Sequence, residues 1–524
     1  MTYEPGTPPS YAYGALLYSG DPGSRASHAA ARSLEPFTLN IRSLSATLAR
    51  QVSSVPKRGL LLALLTLSAV AAISGCAQRI YVIPQYNFAG RPTPPSRLQS
   101  RVLVSVTSGS SGGLQILDGL RDLRNNVQNT IPSFSIGGYS GNNPTTILNY
   151  PGELRGYVYS AVAPYTLTPI DYSKEAAAGG ASSLNSPANS IAISPDFKRV
   201  ITAQVQTGQV LISDATLGTT FALNVPNAYQ VAVNAGDTVA LAMVKNSNTL
   251  YRIVKLNLNQ LAPPGSADCE PTILPVYCAV PVPGKFDRPI GALFSADGST
   301  VYVLNCGVEC GGGQNGGAGV SFISQGNLQI NNIPTAVPYP AVVTNTISIP
   351  GGVTAAITDG ANLYFAGQSL MPDGLFTGNL TTLNLITLVP GAPVSIADGN
   401  HSKLLFADDN TLWVAAQQCS TGERAKLGQN YNCLTRYDVA AQTAAIIPAI
   451  LPVAYPNTNQ NPSYYGSLTG LCWVEGFHKV YTAYGGQVHA FKTLDGSEID
   501  NTLITVPGTA LDVAYIDATN DTAD

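Results

Sequence analysis

Charged residues are scarce in this chain: Asp, Glu, Lys and Arg together make up 11% of its 524 residues. Long helices need more Glu, Lys, Arg and Leu than this, so the composition argues against a helical protein. The chain is instead rich in Gly (50 residues) and Pro (37 residues). With Thr, Asn, Val and Tyr, these residues favour short strands joined by many turns. The composition therefore predicts an all-β fold.

Basic residues are not in excess, because 27 Lys and Arg stand against 31 Asp and Glu. A nucleic-acid partner needs a basic face, so none is predicted. Histidine is also rare, and beyond residue 76 it occurs at His401, His478 and His489. No two of these are spaced like ligands on one element. We interpret His401 and His478 as exposed turn residues, expect no metal and no cofactor, and leave the catalytic residues unknown.

The chain has one long apolar run, residues 59–73, which follows Lys57 and Arg58 and ends in Ser-Gly-Cys76. A run of about 15 residues is shorter than the ~20 of a membrane-spanning helix and fits the core of an export signal. This order resembles a bacterial lipoprotein signal peptide with its lipobox. The resemblance implies cleavage before Cys76, a lipid on Cys76 that binds the membrane, and a place in the bacterial cell envelope (the outer membrane, if the organism has one). An uncleaved signal anchor is the alternative.

Four segments follow from these features. Residues 1–55, rich in Pro, Gly, Ser and Ala, are expected to be disordered or to result from a misassigned start. Residues 56–75 form the signal peptide and residues 76–100 a lipidated tether, in which proline favours extended backbone. Residues 101–524 form the folded domain.

Seven cysteines follow Cys76. Because an exported protein meets oxidising conditions, the six that are close in sequence are expected to form disulfides. The expected pairs are Cys269 with Cys278, Cys306 with Cys310, and Cys419 with Cys433. Free thiols are the alternative, and a metal site is disfavoured because a second ligand pair is missing. Cys472, within an apolar run, is interpreted as a small buried hydrophobic residue.

A loose repeat runs along residues 101–524. An apolar strand leads into a turn, a Tyr-containing second strand follows, and a third strand ends at Asp or Asn, as in Asp171. Two of the turns, at Asp196 and Asp237, are 41 residues apart. A base period of about 42 residues with loop insertions is typical of a β-propeller of four-stranded blades. Eight units are counted, and seven are possible if residues 119–187 are parsed differently.

The two ends of this region complement each other. Residues 511–517 look like a first strand without a second, and residues 101–118 look like a second and a third strand without a first. We therefore expect the C-terminal strand to complete the first blade and close the ring. A β-sandwich is the alternative fold, but it would lack this fixed order of strands and turns.

Two of the units carry a recognisable motif. Residues 194–200, beginning Ser-Pro-Asp, and residues 296–303, beginning Ala-Asp-Gly, resemble the YVTN-type repeat. The resemblance implies kinship with the lactonase-like β-propellers of exported bacterial proteins, and it implies fold rather than activity. Such enzymes use acidic or metal-bound sites in the central channel, but no motif here matches those sites. Turn aspartates such as Asp297 are expected to stabilise their own turns.

Other glycine-rich and tyrosine-rich stretches are interpreted as loops. Residues 109–113 match the letters G-x-S-x-G, but they connect two predicted strands and not a strand and a helix. Residues 311–317 lack the Lys-Ser/Thr of a phosphate loop and are expected to be flexible. The loop 451–467 contains Tyr455, Tyr464 and Tyr465, a composition suited to binding proteins or glycans.

The sequence therefore predicts a lipid-anchored envelope β-propeller that acts as a binding or scaffold module, with an envelope protein or a glycan as its partner. Two alternatives remain open. One is a lactonase-like hydrolase, which would need three or more carboxylate, His or Asn side chains at one mouth of the channel. The other is a subunit of an envelope assembly complex.

Overall fold

The structure is a computed structural model. It describes residues 90–109, 111–124, 134–194, 197, 199–214, 220–313, 315–427, 432–448, 466–499 and 504–519. The predictions for Cys76, for residues 1–75 and for the tyrosines of the loop 451–467 fall outside these ranges. Within them, no helix has the length and apolar character needed to span a bilayer.

Short strands make up almost all the regular structure of the described residues. The first sixteen are β1 (Arg101–Ser108), β2 (Ser111–Asp118), β3 (Pro144–Asn149), β4 (Arg155–Ser160), β5 (Tyr165–Asp171), β6 (Ala176–Ala177), β7 (Ser182–Leu184), β8 (Ser190–Ile193), β9 (Arg199–Gln204), β10 (Gln209–Asp214), β11 (Thr220–Asn224), β12 (Ala228–Val233), β13 (Ala240–Val244), β14 (Leu250–Lys255), β15 (Asp268–Glu270) and β16 (Tyr277–Pro281).

The remaining strands belong to the second half of the chain. They are β17 (Pro289–Phe294), β18 (Thr300–Asn305), β19 (Gly319–Ser324), β20 (Val343–Ser348), β21 (Ala355–Thr358), β22 (Asn362–Leu370), β23 (Phe376–Asn384), β24 (Val394–Ile396), β25 (Asn400–Ala407), β26 (Thr411–Gln417), β27 (Leu434–Asp438), β28 (Thr443–Ile447), β29 (Leu468–Val474), β30 (Lys479–Tyr484), β31 (Gln487–Lys492) and β32 (Thr509–Tyr515). Two short α-helices are α1 (Gln325–Leu328) and α2 (Glu423–Lys426).

The described strands form eight antiparallel sheets, which are the eight blades of a β-propeller. The blades begin in turn with the innermost strands β32, β3, β8, β12, β17, β21, β25 and β29. The all-β prediction and the count of eight units are thus confirmed. In blades 1 and 8 the described outer edge is a single bridge, Gln115 to Ser135 and Phe491 to Glu498.

The last strand closes the ring as the sequence predicts. Strand β32 pairs with β1, from Val102 opposite Tyr515 to Thr107 opposite Thr509, and becomes the first strand of blade 1. Every blade buries both of its faces against its neighbours, which explains why strands such as β18 are apolar almost throughout. Trp413 of blade 7 illustrates this packing, because it is fully buried and lies 6.5 Å (ring centroids) from Phe491 of blade 8.

The ring has two distinct ends. Because the strands of a blade run antiparallel in sequence order, the turns between first and second strands and between third and fourth strands lie on one face. We call this the closure face, since the chain's ends meet there. The connections between second and third strands lie on the opposite face. We call it the loop face. Its connections 306–318 and 418–433 are long, and the hairpin 371–375 between them extends from the nine-residue strands β22 and β23.

A buried group of charges joins the chain's ends on the closure face. Arg101 is 1% exposed, and its guanidinium lies 2.7 Å from the carboxylate of Asp517 and 3.1 Å from that of Glu175. Asp517 also pairs with Arg91, and the backbone N–H of Ser96 donates to Glu175 at 2.8 Å. Residues 90–100 are therefore tied to blades 1 and 2, beside the C-terminal end of β32.

Candidate functional site

On the loop face, the connections 306–318, 371–375 and 418–433 lie on consecutive blades, 5, 6 and 7, and they contact one another. Arg424 of α2 donates to the carbonyl of Phe376 at 2.8 Å and pairs with Asp373 at 3.1 Å. Gln368, at the end of β22, donates through its side chain to the carbonyl of Gly399 at 2.7 Å. These contacts join neighbouring blades, so the loops form one continuous surface.

Disulfides close two of these connections. Cys306–Cys310 spans the 3-10 turn Gly307–Cys310, and Cys419–Cys433 closes the connection of blade 7. The third disulfide, Cys269–Cys278, joins β15 to β16 at the outer edge of blade 4. All three predicted pairs are present. Among the cysteines that the structure describes, Cys472 alone is outside a disulfide, and it is buried as predicted.

The glycine-rich connection of blade 5 is anchored by a buried carboxylate. Backbone N–H groups of Gly313 and Gly317 donate to Asp287 at 2.9 Å, and that of Asn315 at 3.1 Å. A Cβ atom at Gly312 would lie 2.1 Å from an oxygen of Asp287, so this approach requires glycine. The sequence analysis expected a flexible loop. It missed the anchor because Asp287 lies 26 residues from Gly313 and nothing in the local pattern links them. These N–H groups bind a carboxylate of the protein itself, so they do not form a phosphate cradle.

A cavity of about 300 Å³ opens on the loop face between blades 5 and 6. Its polar group is the carboxyl of Glu309, which accepts the backbone N–H of Gln368 at 2.8 Å. Burial raises the pKa of Glu309 to about 7. A Cβ atom at Gly352 would lie 2.2 Å from the same carboxyl, so a glycine is needed for the fit. Near neutral pH this carboxyl can either donate or accept a hydrogen bond.

Large apolar side chains remain exposed on these connections, and three of them, Val308, Leu370 and Phe376, line the cavity. They occupy the tips of all three connections, with exposed fractions between 38% and 63%. These residues are Val308, Leu370, Met371, Phe376 and Leu427. Apolar side chains grouped on one surface are typical of a site that contacts another molecule.

The three histidines do not converge. His401 corrects the sequence interpretation, because it is 2% exposed and not on an exposed turn. Strand β25 already begins at Asn400, which turns the His401 ring inward, where Nε2 lies 2.8 Å from the carbonyl oxygen of Ala397. Burial lowers the pKa of His401 to about 4. His478 is on an exposed turn as predicted, and His489 lies in β31 beside Glu498.

A buried ion pair lies on the innermost strands. Lys403 of β25 pairs with Asp512 of β32, and Asp512 also accepts the backbone N–H of Ile147 in β3 at 2.8 Å. The pair therefore joins blades 7, 1 and 2 across blade 8, where Gly470 leaves room beside Asp512. Burial is the main cause that raises the pKa of Asp512, and Lys403 opposes it.

A metal site would need several His, Cys, Asp or Glu side chains close together. In the described part of the chain, His, Cys, Asp and Glu side chains nowhere gather in threes or more as a metal site would require. Two turn aspartates serve their own turns, as predicted: Asp297 accepts Ser295 Oγ at 2.6 Å and the Ser299 N–H at 2.9 Å, and Asp359 accepts the Asn362 N–H at 2.6 Å. Asp409 differs, because it accepts the hydroxyl of Thr493 in blade 8. Asp196 is outside the described residues.

These features define the protein as an eight-bladed β-propeller with an elaborated loop face. No family model matches the chain, and no curated protein matches it. Solved structures with a similar fold include the dihydro-heme d1 dehydrogenase NirN in complex with DHE, at 15% identity and a TM-score of 0.46, covering 82% of this chain and 79% of that one.

Two further similar structures come from named bacteria. The hydrazine synthase of Kuenenia stuttgartiensis has 12% identity and a TM-score of 0.44, covering 71% of this chain and 100% of that one. A functionally unknown protein from Desulfotomaculum acetoxidans DSM 771 has 12% identity and a TM-score of 0.42, covering 80% and 99%. Similarities this low assign no ligand or activity to this chain.

Proposed function

We propose that the protein is a lipid-anchored cell-envelope β-propeller that binds a partner protein through its loop face. The observation that carries the proposal is the exposure of Val308, Leu370, Met371, Phe376 and Leu427 on the loops of blades 5 to 7, two of which are closed by disulfides. Exposed apolar groups on a rigid surface favour contact with a protein. A glycan would instead favour exposed planar polar groups and aromatic rings.

The chain's two attachments support this arrangement. Residues 90–100 are held on the closure face, and the proposed lipid site, Cys76, lies 14 residues before Gly90. A chain of this length reaches at most about 50 Å. The lipid thus holds the closure face near the membrane and leaves the loop face free for the partner. The repeats at 194–200 and 296–303 further support kinship with exported YVTN-type propellers.

Replacing the lipid-bearing residue tests the anchor. In Cys76→Ser we expect loss of labelled fatty acid and transfer of the folded protein from the membrane fraction to the soluble fraction. Cys472→Ala is the matched control, because its thiol is buried in blade 8 and has no part in anchoring. A Cys76→Ser protein that still fractionates with the membrane would contradict the lipoprotein assignment.

Photo-crosslinking in intact cells tests the binding face. A photoreactive amino acid at Val308 or Leu427 is expected to give a discrete adduct with one protein, and the same adduct from both sites. Phe477 and Leu494 are the controls, since both are exposed apolar residues on the closure face. Adducts from the controls alone would show that the partner binds the closure face, which would contradict the proposal. Polysaccharide adducts from Val308 and Leu427 would favour a glycan partner over a protein.

A further inference from the structure

Arg252 is a buried cation that has no carboxylate partner among the residues that the structure describes. It lies in β14 of blade 4 and is 8% exposed. Its guanidinium makes one hydrogen bond, at 2.6 Å to the backbone carbonyl of Asn327, and within the described residues it has no ion pair. Burial lowers the pKa of Arg252. Burying a guanidinium costs free energy unless an anion compensates its charge. The site around Arg252 therefore favours the binding of an anion.

The guanidinium borders a cavity on the seam between blades 4 and 5. The cavity has a volume of about 290 Å³, enough for a small organic molecule. Its walls include Pro281 and Pro283 of blade 4 and the prolines of the insertion 329–342 of blade 5. Tyr339 adds a ring, and its hydroxyl is already engaged because it donates to the carbonyl of Pro264. The cavity therefore combines one unneutralised cation with rigid, largely apolar walls.

We propose that this cavity binds a small organic carboxylate, with the carboxylate on Arg252 and the apolar body against the proline walls. A guanidinium presents parallel N–H donors that match the two oxygens of a carboxylate. The apolar walls disfavour inorganic phosphate, which would lose its hydration without polar replacements. The side chains of Asn327 and Thr335 also line the cavity and offer further hydrogen bonds. This site is separate from the loop face and does not depend on the function proposed above.

Calorimetric titration of the full chain in detergent tests the site with benzoate as the probe. We expect saturable binding with a Kd below about 1 mM. Benzamide, which has the same shape but no charge, should bind at least about tenfold more weakly. Arg252→Gln should weaken benzoate binding to the same extent. Arg97→Gln should not change it, because Arg97 is an exposed residue outside the cavity.

Each other outcome overturns the proposal. These outcomes are the absence of saturable benzoate binding, equal affinity for benzamide, unchanged affinity in Arg252→Gln, or phosphate binding more tightly than benzoate. If circular dichroism shows that Arg252→Gln is unfolded, Arg252→Lys replaces it. Lysine keeps the positive charge but lacks the parallel N–H donors of the guanidinium. Benzoate should therefore bind this variant more weakly than it binds the parent. An unchanged affinity would again contradict the proposal. The comparison of benzoate with benzamide needs no variant.

Discussion

The two faces of the propeller are held together by different chemistry. On the closure face the ends of the chain meet over the buried charges of Arg101, Glu175 and Asp517. On the loop face the longest connections are closed by disulfides and carry exposed apolar side chains. Buried charges therefore join the chain's ends on the closure face, and disulfides close two connections on the loop face.

Turn residues on the closure face bond neighbouring blades. Asp237 of blade 4 pairs with Arg199 of blade 3 at 2.7 Å. Asp409 of blade 7 accepts the hydroxyl of Thr493 in blade 8 at 2.6 Å. A turn residue that bonds a neighbouring blade cannot vary freely, because its loss weakens the packing between blades.

Removing the central cation of the closure face should have the largest effect. Arg101→Gln leaves Glu175 and Asp517 buried with less compensation, and breaking a buried ion pair from one side costs about 3 to 5 kcal/mol. We expect the free energy of unfolding in urea to fall by this amount. Arg97→Gln, an exposed change in the same segment, should stay within about 0.5 kcal/mol. A loss below about 1 kcal/mol for Arg101→Gln would show that the charges do not hold the ring closed.

Opening a disulfide on the loop face should cost less. Replacing Cys419 and Cys433 by alanine frees a loop with a sequence separation of 14, for which chain entropy gives about 3 kcal/mol. The same change at Cys306 and Cys310, with a separation of 4, should cost about 2 kcal/mol. Urea unfolding of both double variants under oxidising conditions measures the difference. If neither pair changes the free energy of unfolding, the loops fold independently of the ring.

The regular parts of the fold could be predicted from the sequence because they repeat. The spacing of Asp237, Asp297 and Asp359 marks the turns between first and second strands. The unpaired strand at residues 511–517 indicates how the ring closes. Short cysteine separations sufficed for the disulfides, since only near neighbours had to be matched.

The sites could not be predicted, because they depend on residues far apart in sequence. Burial in the folded chain raises the pKa of Glu309, whose carboxyl accepts a backbone N–H of blade 6, and Asp287 anchors a loop 26 residues away. Arg252 appears in the sequence as one polar residue in an apolar strand, and its missing counter-charge is visible only in three dimensions. His401 was misassigned because a strand boundary shifted by a few residues turns an exposed side chain into a buried one.

The Glu309 carboxyl should make the loop face sensitive to pH. Its folded-state pKa of about 7 is above the ordinary value of 4.5. Between these values the folded chain keeps a proton that the unfolded chain releases, so stability falls as the pH rises through this window and levels off above it. Glu309→Gln should remove this fall and, at pH 8, be more stable than the parent by about 3 kcal/mol.

Urea unfolding at pH 5 and at pH 8 measures this effect, with Glu153→Gln as the control because Glu153 is an exposed carboxyl on a closure-face turn. At pH 5 the parent and Glu309→Gln should be nearly equal in stability. Parallel pH curves for the two proteins would show that the carboxyl is already ionised in the folded state.

The smallest expected effect compares two histidines of blades 7 and 8. On the closure face, the hydrogen bond and charge of Asp409 raise the pKa of His478 above 6.5. In the interior, burial lowers the pKa of His401 to about 4. An NMR titration should therefore show one ring gaining its proton above pH 6.5 while the other stays neutral until strongly acidic pH. Asp409→Asn should lower the His478 midpoint and leave that of His401 unchanged. An unchanged His478 midpoint would mean that Asp409 does not contact His478 in solution. It would also contradict the view that turns on the closure face are held by neighbouring blades.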